Sequence, residues 1–184
     1  MFRKQFLTWL FERNFRLRLG TSVNRAVFEN ISSDDGKKKK LLAFFMFVSP
    51  DVPNVGLLDM LREGFLLVPI KFGFGVMKRL LSIKDEYERI EHAVMDKHGI
   101  TSVYKLERMV VHPSYQGKGV GSKALRQALD EADTKGLPVL LGTEEERNLR
   151  FYSKLGFEVV DTANLCGCTH WSMLRQPQIS EDKG

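Results

Sequence analysis

Three observations predict a layered α/β fold, an α+β arrangement on a mixed sheet. Helix-period stretches and short β-rich runs alternate along the chain. One β-rich run, residues 104–111, is closed by Pro113, and three glycines at alternate positions, Gly117, Gly119 and Gly121, lead from it directly into a helix-period stretch. Finally, 184 residues of which 43% are hydrophobic can bury one sizeable core, so a single domain over residues 1–184 is expected.

Residues 1–19 place Phe2, Phe6, Trp9 or Leu10, Phe11 and Phe15 at near-helical spacing with Arg and Lys between them, which predicts an amphipathic helix packed on the core. Glu12 and Arg13 interrupt its apolar run, and no stretch reaches the roughly 18 apolar residues of a membrane helix. Gly20 closes this helix. Residues 22–31 and 41–48 read as two strands of an antiparallel hairpin turning at Asp34, Asp35 and Gly36, with Lys37, Lys38, Lys39 and Lys40 at its solvated tip. Residues 57–97 are helical in two or three pieces broken by Gly64, Pro69, Gly73 and Gly75, and residues 86–98 are charged on one face. Residues 104–111 form the central strand. From Gly121 the stripe Ala124, Leu125, Ala128, Leu129, Ala132 predicts a helix ended by Gly136 and Pro138. A short buried strand (137–141), a helix (145–154) and strands at 157–161 and 170–174 complete the chain before a polar tail.

The charge excludes some classes of function. A formal +5, from 28 Lys and Arg against 23 Asp and Glu, is mild and scattered outside residues 37–40, so nucleic acid is not an expected partner, and neither is a membrane. Cys166 and Cys168 are too few and too close for a disulfide framework or a complete zinc site, and read as free thiols of a cytoplasmic protein. His92 and His98 lie six apart, not the three or four that would align them on a helix face, so no metal is expected there.

The glycine loop is a phosphate cradle: glycines let the backbone approach an anion closely, beside the positive end of the next helix. It is not a P-loop, because Lys118 is followed by Gly119 and no Gly-Lys-Ser/Thr occurs in the chain. Nor is it the dinucleotide fingerprint, since its spacing is Gly-x-Gly-x-Gly. Val111-His112-Pro113 followed by Gln116, Gly119 and Gly121 resembles the acetyl-coenzyme A loop of the GNAT superfamily of N-acetyltransferases. Downstream, residues 148–157, Asn-Leu-Arg-Phe-Tyr-Ser-Lys-Leu-Gly-Phe, resemble that superfamily's second motif in the right order, and the likeness is specific over residues 104–160.

The resemblance implies a sheet whose two central parallel strands splay apart to admit acetyl-coenzyme A. It implies N–H groups of Gln116, Gly117, Lys118, Gly119, Val120 and Gly121 on the pyrophosphate, the backbone of Met109, Val110 and Val111 along the pantetheine arm, and Asn148 on the same arm. The implied reaction is acetyl transfer to a primary amine, with Tyr152 as the acid that protonates the departing thiolate. The general base is chosen from the residues: Glu107, on the central strand, is the first candidate. Glu144, Glu145 and Glu146 read as a helix start favoured by the macrodipole, with a base role as their alternative. His112 reads as a turn residue, and Cys166, Cys168 and His170 as a hairpin rather than a nucleophile pair. Relatives of this kind carry a strand and a helix ahead of the element at residues 1–19, which bears on the acceptor side. The alternative function is therefore a non-catalytic coenzyme A-binding module that has lost its acceptor site. A small amine, an antibiotic, a polyamine, a peptide N-terminus and a protein lysine all suit the fold as acceptors, in a monomer or homodimer.

Overall fold

A computed structural model describes residues 2–17, 24–33, 36–53 and 56–178. Its strands are β1 (Asn24–Ser33), β2 (Gly36–Val48), β3 (Tyr104–Val111), β4 (Val139–Thr143), β5 (Glu158–Leu165) and β6 (Cys168–Arg175). They form one mixed sheet in the order β1-β2-β3-β4-β6-β5, in which β3 and β4 are parallel and the other neighbours antiparallel. The helices are α1 (Phe2–Leu17), α2 (Leu57–Arg62), α3 (Val68–Phe72), α4 (Phe74–Lys97), α5 (Val120–Thr134) and α6 (Glu146–Ser153).

Side-chain alternation sorts the core into two layers. Phe45 and Phe47 of β2, Tyr104 and Leu106 of β3, and Val139 and Leu141 of β4 meet Leu125, Ala128, Leu129 and Ala132 of α5 and Tyr152 of α6 on one face. On the other face Val94 of α4 packs with Val103, Leu140 and Leu174. Helix α1 lies on this second face: Phe15 meets Phe44 of β2 at 5.4 Å between ring centroids, and Trp9 packs against Phe65 and Phe72 at 5.5 Å each. The amphipathic helix expected at residues 1–19 is thus a packing helix. Its last two residues and Gly20 lie outside the described residues, as do Asp34 and Asp35 of the expected turn.

Several boundaries differ from the sequence reading, each for a physical reason. The four lysines belong to the strand and not to a loop: β2 starts at Gly36, and Lys37 to Lys40 pair in register with Ser32 to Glu29, directly after the Ser33–Gly36 pair. Lysine is a residue that natural sheets tolerate on an edge hairpin, so a run of it does not prevent strand pairing. Pro69 does not break a helix, because it occupies the first turn of α3, where no N–H is needed, and Gly75 lies inside α4. The strand expected at residues 137–141 runs instead over Val139–Thr143, since Pro138 carries no N–H to enter a ladder.

One buried ion pair fastens the far end of the sheet to the helices. Arg175, 4% exposed, makes a bidentate contact with Asp133 at 2.6 and 2.7 Å and donates Nε to the Leu155 carbonyl at 3.0 Å. Burial raises the Asp133 carboxyl, but the Arg175 hydrogen bonds and charge and the Gln178 N–H outweigh it and hold the group below the usual carboxylate range. Replacing Asp133 with Asn leaves the guanidinium unneutralised and is expected to cost about 3 kcal/mol at pH 7. Because the folded carboxyl titrates below the unfolded one, the pair's contribution is complete above the unfolded value and fades as pH falls through the folded one. Urea melts should therefore show the gap between wild type and Asp133→Asn closing in acid.

Candidate active site

The site is a fork in the sheet. β3 and β4 pair only at Tyr104 with Val139 and Lys105 with Leu140. Beyond that point β4 continues against β6 alone, through Leu141, Gly142 and Thr143, while β3 continues against β2 alone. The β4-facing backbone edge of residues 106–111 therefore has no strand partner among the described residues. The fork lies within a cleft of about 650 Å³, walled by β3 (Lys105 to Met109), the end of β4 with Glu144 and Glu145, α4 (Tyr87, Ile90, Glu91) and α6 (Asn148, Tyr152).

A bulge in β3 re-aims this edge. The register to β2 shifts between Phe44 opposite Val110 and Met46 opposite Glu107, so β3 carries one extra residue, and Arg108 there takes a left-handed φ of 53°. Such a φ is sterically costly away from glycine and favours a bulge position. As a result Met109 and Val111 face α5, while Glu107 lies in the cleft wall. Glu107 has no hydrogen bond or ion pair among the described residues.

The glycine loop follows. Gly117 and Gly119 have φ of 72° and 75°, and a Cβ on either would meet open space, so both glycines serve backbone conformation. Gly121 differs: a Cβ there would stand 3.1 Å from both Met109 and Val111, so this glycine lets α5 close onto β3. Among the described residues, the N–H groups of residues 117–122 have no backbone acceptor, and Lys123 N–H to the Gly119 carbonyl at 2.9 Å is the first helix bond to close. The loop is braced from behind by Gln116, whose Nε2 donates to the Val111 carbonyl at 3.1 Å, and by His112, whose Nδ1 accepts from Ser114 N–H at 3.2 Å. An anionic, phosphate-bearing group fits a row of free donors at a helix start, which is the chemistry expected of this loop.

Across the cleft, Asn148 and Tyr152 both line the wall from α6. The Asn148 amide donates to Thr143 Oγ1 at 3.0 Å, tying α6 to the end of β4. Tyr152 is 8% exposed, and burial pushes its phenol up to about 12, so it holds its proton firmly at neutral pH.

A further cluster was not assembled by sequence reasoning. His170 on β6, 3% exposed, places Nδ1 2.8 Å from Glu144 Oε1, and the same oxygen accepts the hydroxyl of Tyr87 from α4. The two rings meet edge-on at 5.0 Å. Gly142 makes room for this imidazole: a Cβ there would fall 2.8 Å from His170 Nε2. The His170 bond, opposed by burial and aided by Tyr87, holds the Glu144 carboxyl below its ordinary range. The helical spacing of Tyr87, Ile90, Glu91 and Val94 was the available signal for α4's inward face. Nothing local in the sequence joins it to His170. Cys166 and Cys168 are exposed free thiols at the turn between β5 and β6.

Residues 75–159 match the family model described as an acetyltransferase (GNAT) domain. L-methionine sulfoximine/L-methionine sulfone acetyltransferase of Salmonella typhimurium is 42% identical over 60 residues, covering 30% of this chain and 35% of that protein. Glucosamine 6-phosphate N-acetyltransferase of Trypanosoma brucei brucei is 36% identical over 59 residues, 32% of this chain and 40% of that protein. The chain thus aligns with well under half the length of either. Among solved structures, ribosomal-protein-S18-alanine N-acetyltransferase from Escherichia coli overlays 94% of this chain and 81% of its own, at 14% identity and a TM-score of 0.48.

The two kinds of loop glycine separate experimentally. Gly121→Val is expected to destabilise by about 1–3 kcal/mol through overpacking against Met109 and Val111. Gly119→Ala meets no atoms, and its cost should be the left-handed backbone alone, about 1–2 kcal/mol. Chemical denaturation of the pair checks the assignment, with a Met109→Ala background relieving part of the Gly121→Val cost and none of the Gly119→Ala cost.

Proposed function

We propose, from the match of residues 75–159 to the acetyltransferase (GNAT) domain model, that this chain is an acetyl-coenzyme A dependent N-acetyltransferase acting on a primary amine. The observation that carries this reading is the fork: a free β3 edge beginning at Leu106, set beside a glycine loop with a row of unused N–H groups. One edge suits the amides of a pantetheine arm, and the loop suits a pyrophosphate. On this reading Gln116, Gly117, Lys118, Gly119, Val120 and Gly121 hold the phosphates, Met109, Val110 and Val111 line the arm, and Asn148 steadies the opposite wall. The described residues act together as one N-acetyltransferase domain, with residues 104–160 as its cofactor-binding core. Acetyl-coenzyme A enters as a co-substrate, and the chemistry uses only side chains and backbone donors.

Acetyl transfer needs a neutral amine, a donor for the developing oxyanion and a proton for the leaving thiolate. Tyr152 supplies the proton. Its phenol, near 12, is a weaker acid than a free one, but the burial that raises it also raises a thiolate placed beside it, so the mismatch between the two narrows. The amine's proton passes to a carboxylate in the cleft wall, for which Glu107 on β3 is the sequence's first candidate.

Two variants test this reading. Gly119→Val should lose most acetyl-coenzyme A affinity while folding, because a branched side chain in a left-handed position blocks the backbone approach; unchanged affinity by calorimetry would contradict the loop's role. Tyr152→Phe should lower kcat about 10²-fold with cofactor affinity unchanged, and normal turnover would remove the acid from Tyr152.

A further inference from the structure

The cleft carries more negative than positive charge, and the pairing within it singles out one carboxylate. Glu91 is satisfied by an ion pair with Lys105, Arg108 reaches Asn14 of α1 at 3.5 Å, and Glu145 faces Arg147 at 3.4 Å. Glu107 has no side-chain partner and nothing to orient it. Glu144, in contrast, is oriented on both sides: Tyr87 from α4 and His170 from β6 both bond its Oε1. His170 is buried behind it at 3% exposure, whereas the Glu144 side chain is 39% exposed toward the cleft. Both of those bonds fall on Oε1, and no other described residue bonds Oε2. With Tyr87 O–H and His170 Nδ1–H as donors, the carboxylate is ionised and one oxygen is left over for a ligand.

Resting on the N-acetyltransferase reading, we propose that Glu144 binds the acceptor as an alkylammonium ion through Oε2 and takes its proton, with His170 and Tyr87 as positioning residues. An N–H bond of the ammonium breaks, its electron pair stays on nitrogen, and the proton goes to Oε2. The neutral nitrogen then forms a bond to the acetyl carbon of acetyl-coenzyme A as the C–S bond breaks, its electron pair leaving on sulfur. Sulfur takes the Tyr152 proton, and Tyr152 regains one from the nitrogen. Glu144 returns its own to water, so ammonium and thioester become amide, thiol and one proton. Gly142 belongs to this device, because any side chain there displaces the imidazole that holds Oε1 in place. The other groups facing Glu144 across the cleft are Glu107, Arg108 and the Glu91–Lys105 pair, with Glu145 beside it and Tyr152 on α6.

The test uses n-butylamine, an ammonium on the carbon chain of a lysine side chain, with acetyl-coenzyme A affinity measured in parallel as a check on folding. Glu144→Gln should lower kcat/KM for the amine about 10²-fold or more and leave cofactor affinity unchanged. Tyr87→Phe should lower it about tenfold, the scale of one hydrogen bond to a charged group. Removing that donor also raises the carboxyl, so the acid limb of the kcat/KM profile should move to higher pH, a shift that a merely structural tyrosine would not produce. If Glu144→Gln acetylates n-butylamine at the wild-type rate, or Glu107→Gln takes the whole loss instead, the proposal is overturned while the N-acetyltransferase reading stands. If the wild type binds acetyl-coenzyme A but acetylates neither n-butylamine nor any other amine, both fall.

Discussion

The structure depends on where two parallel strands stop touching. Tyr104 with Val139 and Lys105 with Leu140 are the whole of the β3–β4 ladder, and past them the backbone polar groups of β3 face a cleft instead of a neighbour. Unpaired backbone in a sheet interior is costly unless a partner arrives, so a fork of this kind is open to an extended, amide-bearing ligand. Below the fork the gap is closed by packing: Tyr104, stacked on Phe47 at 4.7 Å, joins Leu125 and Val139 in the buried apolar core. Above it, the bulge at Arg108 turns Met109 and Val111 toward α5 and leaves Glu107 in the wall.

The two sides of the fork are built differently. The side proposed to hold the cofactor is local in sequence: strand, tight turn, glycine loop and helix run without interruption from Tyr104 to Thr134, and each piece constrains the next. The side proposed to hold the acceptor is assembled at long range. α4 arrives from the segment between β2 and β3 and contributes Tyr87 and Glu91; β4 ends in Gly142 and Thr143 just before Glu144; and His170 comes from β6. Their joint effect is one buried imidazole and one phenol aimed at a single carboxylate oxygen, a polar network of the kind that stays fixed only when its donors are satisfied.

This division explains what could be read from the sequence. The central strand, the apolar stripe of α5 and the placement of Asn148 and Tyr152 one turn apart on α6 follow from periodicity and turn chemistry, which are local signals. The splayed strands came from family resemblance, not from the hydrophobic pattern, and the register shows them. The bulge at Arg108 left no trace, because an arginine in a β-rich run carries no mark of a left-handed φ. Lys37 to Lys40 read as a tip because charge runs usually are solvated; pairing with residues 29–32 is a property of the partner strand. The Glu144–His170 contact joins residues 26 apart in the chain and was invisible for the same reason.

The central claim is that the free β3 edge and the loop N–H groups receive one extended ligand. Amide hydrogen exchange, followed residue by residue with and without coenzyme A, addresses it most directly. Slowed exchange is expected on binding at the amides of residues 106–111 that face away from β2 and at residues 117–122, with the outer strand β1 unchanged. Coenzyme A that binds yet leaves those amides exchanging at their free rates would contradict it.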